Sequence, residues 1–179
     1  MLRRPKRFIL SGMKNIALSL LSVLVFSSPA FASEQKEIGT FGVWSAYVFE
    51  ENGGKVCYMA AKPEKAEGKY SKRGDIVAMI THRPAEGTKN VFSYMSGYGY
   101  KKGSDVNLTI DTKKFTLFTQ NDMAWAADAG ADTNIADAIK KGSKMVVKGV
   151  SGKGTETKDT FSLKGSTKAY EAISTACGS

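Results

Sequence analysis

Three observations predict an all-β fold, an antiparallel β-sandwich with two short helices. Between Ile38 and Asp128, runs of apolar and β-branched residues are separated by Gly, Asn, Asp and Lys turn chemistry, with no helical stretch of useful length. Val106, Leu108 and Ile110 alternate with Asn107, Thr109 and Asp111, which places one face inward and one in water. The chain then closes on a strand, a turn, a strand and a short helix between Gly142 and Cys177. Two facing sheets are the usual way for an all-β chain of this length to cover its apolar faces.

Residues 1–32 come first and stand apart from that pattern. Arg3, Arg4, Lys6, Arg7 and Lys14 precede an apolar run from Ile16 to Phe26, and Ala30-Phe31-Ala32 follows. A basic region, a short apolar region and an A-x-A site are the three parts of a secretory signal peptide. The apolar run is well short of the ~20 residues that a spanning helix needs, so no stable membrane span is expected after cleavage. Met13-Lys14-Asn15 opens a complete signal by itself, which leaves Met1 and Met13 as alternative starts. Arg3-Arg4 lacks the flanks of a twin-arginine signal, and no cysteine follows the cleavage site to carry a lipid anchor.

Residues 33–179 are long enough for one domain with a proper core. The signal carries five bases and no acid, so removing it lowers the formal charge from +9 to +4. The remaining lysines are scattered in pairs such as Lys101-Lys102, Lys113-Lys114 and Lys140-Lys141 among acids, as on a solvated face, and nucleic acid is not implied. Two cysteines, Cys57 and Cys177, remain in a chain sent to an oxidising compartment, and one disulfide between them is the simplest expectation.

The expected strands are Phe41 to Phe49, Lys55 to Ala61, Ile76 to Arg83, Val91 to Tyr100, Val106 to Asp111, Phe115 to Gln120 and Met123 to Ala127. Gly97 and Gly99 suggest a bulge or a bend near the end of the fourth. Pro63 to Gly74, dense in Lys, Glu and Gly, reads as a long mobile loop. A short helix is expected over Asp132 to Lys141, with Asp132 or Thr133 as N-cap, an apolar stripe of Ile135, Ala138 and Ile139, and Gly142 at its end. Ser143 to Val150 and Asp159 to Lys164 form a hairpin around Ser151-Gly152-Lys153-Gly154, and Ala169, Ala172, Ile173, Ala176 and Cys177 make the stripe of a terminal helix. Inward positions are Val43, Leu108, Ile110, Met145, Val147, Phe161 and Leu163.

No catalytic constellation emerges. His82 is the single histidine, so a triad or a zinc site would need partners that Cys57 and Cys177 alone do not supply, and no G-x-S-x-G elbow occurs. No cofactor and no metal are expected. Gly152-Lys153-Gly154-Thr155 joins two strands with no helix behind it, which makes it a hairpin turn rather than a phosphate loop. Asn107-Leu108-Thr109 is a glycosylation sequon in the middle of a strand. Arg73-Gly74-Asp75 has two readings: ordinary turn chemistry at the entry to a strand, or an exposed tripeptide offering a cation and a carboxylate to a metal-bearing receptor. Phe92, Tyr94, Tyr98 and Tyr100 share a strand face, as core or as a binding platform, and the pattern favours core.

Phe41-Gly42-Val43-Trp44, Thr81-His82-Arg83-Pro84, Ala124-Trp125, Lys141-Gly142-Ser143-Lys144-Met145-Val146-Val147 and Asp159-Thr160-Phe161-Ser162-Leu163, with Cys177, resemble the invasion-associated locus B family in order and spacing. The resemblance implies an exported alphaproteobacterial protein with an immunoglobulin-like sandwich, associated with entry into host cells in pathogenic genera. It attaches no catalytic residue. Many relatives carry a cysteine pair shortly after the Trp, whereas Ser45, Ala46 and Tyr47 stand here, leaving only the Cys57–Cys177 bridge. The expected role is therefore an envelope protein of the periplasm or cell surface that binds an unknown protein or host-surface partner and is not an enzyme. The alternative is a periplasmic binding or stress-support module.

Overall fold

The computed structural model describes residues 34–179, so the export signal read over residues 1–32 lies outside the described residues. The alternating runs are realised as eleven strands: β1 (Lys36–Phe41), β2 (Trp44–Glu51), β3 (Gly54–Ala61), β4 (Lys65–Gly68), β5 (Val77–Arg83), β6 (Thr88–Met95), β7 (Val106–Ile110), β8 (Lys113–Gln120), β9 (Met123–Trp125), β10 (Lys144–Val150) and β11 (Glu156–Ser162). Two α-helices, α1 (Ala129–Lys141) and α2 (Ser166–Cys177), and a 3-10 turn at Pro84–Glu86 complete the described fold. Every pairing is antiparallel, and the order is β1-β2-β3-β5-β6-β9-β8-β7-β10-β11-β4.

One strand makes that ribbon into a sandwich. The first half of β8, up to Leu117, pairs with β7, and its second half, from Phe118, pairs with β9. β8 thus passes from one sheet to the other, folding β7-β10-β11-β4 over β1-β2-β3-β5-β6-β9. Contacts across the gap confirm the facing: Tyr94 of β6 meets Phe161 of β11 edge to face at 6.2 Å, and the Trp44 indole N–H donates to the Ser162 carbonyl at 3.1 Å. The shared core holds Trp44, Met59, Ile80, Phe92, Leu108, Ile110, Met145, Val147 and Phe161, all buried.

Several expectations need correction, and the two sheet edges account for the largest. β1 and β4 stand at the ends of the strand order, and their side chains are mostly exposed. Edge strands carry charge instead of an apolar face, so Lys65-Ala66-Glu67-Gly68 reads as loop in sequence yet pairs with β11. The expected strand Phe41 to Phe49 is divided by a turn at Gly42 and Val43, which leaves Val43 exposed rather than inward. β6 stops at Met95, so Tyr98 and Tyr100 leave the face that Phe92 and Tyr94 share.

α1 begins earlier than expected. Asp128, not Asp132 or Thr133, is its N-cap, with a carboxylate that accepts from the Ala131 N–H at 2.8 Å. Asp132 turns toward the sheet, where β9 is too short to pair with the Phe92 N–H, and accepts that hydrogen at 2.8 Å. Burial raises the Asp132 pKa from its usual value, against the opposing effect of the Phe92 N–H bond.

α2 is stapled to the inner side of the sheet by the expected Cys57–Cys177 disulfide, which spans 120 residues. Closing a loop of that length stabilises by about 5 kcal/mol in the chain-entropy picture. Replacing both cysteines by Ala is expected to lower the unfolding free energy by about 3–5 kcal/mol in urea titrations, and a loss below about 1 kcal/mol would show that α2 is held by packing alone.

Candidate functional site

Asp159 stands in β11 on the same side as Phe161 and is fully buried. A carboxylate in that position needs a cation and hydrogen bonds to offset its lost hydration. Arg73 supplies them. Its Nη1 and Nη2 meet the two carboxylate oxygens at 2.7 and 2.6 Å, its Nε donates to the Ser96 carbonyl at 2.7 Å, and Nη2 also reaches the Tyr94 hydroxyl at 3.2 Å. Tyr94 donates its own proton to Asp159. The side chains of Arg73 and Asp159 are only 3% and 1% exposed. Burial opposes the guanidinium charge, and Asp159 more than offsets it, so the Arg73 pKa rises. For Tyr94, burial first and the Asp159 charge second push the phenol well up.

This corrects the receptor reading of Arg73-Gly74-Asp75. The arginine points into the molecule, while Asp75 lies on the surface with Lys62 at 3.2 Å. The Gly74 N–H donates to the Gly97 carbonyl at 2.8 Å, and Gly97 has φ +73° with the Gly74 oxygen 2.5 Å from where a Cβ would stand. Only glycine fits there, and the tripeptide is a pinned crossing rather than a mobile tip.

Above the buried pair lies a cleft of about 300 Å³, formed by residues 69–73, 98–99 and 151–153 with Thr155 and Thr157. The Arg73 guanidinium lies 5.3 Å from the Tyr70 ring centroid and 5.0 Å from that of Tyr98. Tyr98 is fixed in turn through its hydroxyl, 2.6 Å from Thr157 Oγ1. Backbone bonds from Gly152 N–H to Gly99 carbonyl and from Lys101 N–H to Val150 carbonyl, at 2.8 and 3.0 Å, tie the loops together.

The outer face of the larger sheet is a second candidate surface. Both helices lie on the other side: α2 carries the disulfide to Cys57, and its Ser174 hydroxyl meets His82 Nε2 at 3.2 Å. The outward residues Ser45, Tyr47, Phe49, Tyr58, Ala60, Val77, Met79 and Met95 are half-buried, and charge enters at the edges of that set, with Glu37 opposite Tyr47 on β1 and Lys62 and Glu64 beside Ala60. Tyr47 stacks on Tyr58 at 4.9 Å, and Phe49 meets Tyr58 edge-on at 6.1 Å. Desolvation, with a smaller effect of Tyr47, raises the Tyr58 pKa. Between Val43 and Met95 the face forms an open trough of about 640 Å³.

His82 is core. Its Nδ1 accepts from the Asn90 N–H at 3.1 Å, Tyr170 lies edge-on at 5.3 Å, and burial is the main cause of a pKa lowered to about 4, so the ring is neutral at physiological pH. Among the described residues, no group of three or more His, Cys, Asp or Glu side chains is arranged to hold a metal ion.

The family model described as Invasion associated locus B (IalB) protein matches residues 44–174. The chain belongs to the invasion-associated locus B family. Its fold is similar to the crystal structure of invasion associated protein b from Bartonella henselae, with a TM-score of 0.55 at 15% identity over 77% of this chain and 95% of that one. No curated protein sequence matches the chain. The matched region contains the cleft, the Tyr47–Tyr58 stack, the Arg73–Asp159 pair and the first cysteine of the bridge.

Removing one partner of a buried ion pair leaves the other charged and unpaired. Asp159→Ala is expected to cost about 3–5 kcal/mol in urea unfolding, whereas Arg73→Met combined with Asp159→Leu recovers at least half of that loss. A single variant as stable as the parent would show that Arg73 finds another way to water.

Proposed function

We propose that this invasion-associated family member is an exported envelope protein that acts in host-cell entry by binding a partner protein, and that it binds through the outer face of its larger sheet. The observation carrying the reading is the Tyr, Phe, Met and Val surface around the Tyr47–Tyr58 stack, with the charges of Lys62 and Glu64 at the edge of its trough. Contiguous exposed apolar surface costs solubility and marks interaction sites. Aromatic residues and Met are also the residues enriched at protein interfaces, with charges depleted from the interface core. The partner is a protein with a complementary apolar contact surface. The disulfide supports export, because such bonds persist in oxidising compartments.

The test uses a strain lacking the gene, complemented with the parent or with Tyr47→Glu and Met79→Glu together. These side chains project from one sheet face and contribute little to the core, so the melting temperature is expected to stay within about 4 °C of the parent. Entry into host cells is expected to fall to the level of the deletion strain, and protease added to intact cells is expected to degrade the protein. Undiminished entry by the variant would remove this face from the function. A protein shielded from protease, with an envelope defect in broth on deletion, would favour periplasmic support without host contact.

A further inference from the structure

The cleft above Arg73 differs in charge from its surroundings. Lys69, Lys72 and Lys153 line it, and among the described residues none of the three has an ion-pair partner. No carboxylate lines it either. The contrast with the adjoining cleft on the other side of Thr157 is direct: there Glu67, Asp105 and Glu156 stand among Lys148 and Lys158, and Glu67 pairs with both Lys65 and Lys158. Asp159 lies beneath the cleft, but Arg73 neutralises it. Three uncompensated positive charges therefore surround one concavity, and concave low-dielectric walls concentrate such a field.

The remaining lining describes the ligand further. Tyr70 is 38% exposed at the rim, and the guanidinium against its ring holds the aromatic plane in place. Ser71 and Thr155 add hydroxyls beside the lysines. The volume, about 300 Å³, is at the lower end of small-molecule sites, which run from roughly 300 to 1,000 Å³. The cleft is also built before any ligand arrives, since the 69–73, 97–100 and 151–155 loops are joined by the Gly74–Gly97, Gly152–Gly99 and Lys101–Val150 backbone bonds. A pre-formed site loses little entropy on binding.

We infer that this cleft binds an acidic sugar, with the sulfate or phosphate groups against Lys69, Lys72 and Lys153 and the apolar face of a sugar ring on Tyr70. A bare anion would use the lysines but leave the tyrosine idle. Tyr70 and Tyr98 each give one side to Arg73, so the free face of Tyr70 takes a single ring, and adenosine monophosphate among the probes separates a stacked base from a sugar. Sulfate and phosphate esters share this chemistry, and their sources are separated by the probe.

The test is calorimetric titration of residues 33–179 with four probes: a sulfated heparin-derived disaccharide, a phosphorylated glucosamine disaccharide, an unsubstituted glucosamine disaccharide and adenosine monophosphate. At least one of the two acidic disaccharides is expected to bind, more weakly as salt rises, and the tighter of them names the source as glycosaminoglycan or envelope glycolipid. Lys72→Gln with Lys153→Gln is expected to weaken that binding by at least about tenfold, as is Tyr70→Ala, while Lys113→Gln with Lys114→Gln, which line no part of the cleft, leaves it unchanged. Unchanged melting temperatures show that the variants fold. The inference is overturned if neither acidic disaccharide binds, if the cleft variants bind as the parent does, or if the neutral disaccharide or adenosine monophosphate binds equally well.

Discussion

The buried ion pair between Arg73 and Asp159 is the constraint on which the irregular half of this molecule depends. A carboxylate and a guanidinium that have both lost water each carry a penalty of several kcal/mol, and only near-complete hydrogen bonding offsets it. The bidentate contact, the Ser96 carbonyl and the Tyr94 hydroxyl provide that completeness. The pair also has a geometric effect that an apolar filling would lack. Asp159 belongs to β11, Tyr94 to β6 of the facing sheet, and Arg73 to the segment between β4 and β5, so one cluster fixes both sheets and the connecting chain in a single register.

That placement shapes the cleft. With Arg73 turned inward, its segment crosses Gly97 at close range and presents Lys69, Tyr70 and Lys72 to the cleft. On the other flank, the inner side of the larger sheet is filled by the smaller sheet, by α1 and by α2 with its disulfide, and the outer side carries the Tyr47–Tyr58 stack. A sheet with one face closed within the chain and an aromatic patch on the other is what the proposed binding role rests on.

Much of this was legible from residue types. Period-two alternation located β3, β5, β7, β8, β10 and β11, because one side of each meets the core. The edge strands escaped for the opposite reason: Lys36 to Phe41 and Lys65 to Gly68 bury little, and pairing alone leaves no pattern in the sequence. The cluster was half legible. Asp159 shares parity with Phe161 and Leu163, and a carboxylate on a buried face signals a buried cation. Nothing local pointed to Arg73, since an irregular segment has no periodicity from which to read facing. The Tyr47–Tyr58 pair was hidden by register, which depends on the β2–β3 turn and not on either strand alone.

Hydrogen exchange, resolved residue by residue, tests the organising role of the pair most directly. The amides of Gly74, Lys101 and Gly152 hold the loops together through Gly97, Val150 and Gly99, while the Met59 amide lies in a central strand. In Asp159→Asn, under conditions where the protein remains folded, the three loop amides are predicted to exchange at least about tenfold faster than in the parent, with the Met59 amide far less affected. Equal acceleration at all four, or none at the loops, would contradict the account.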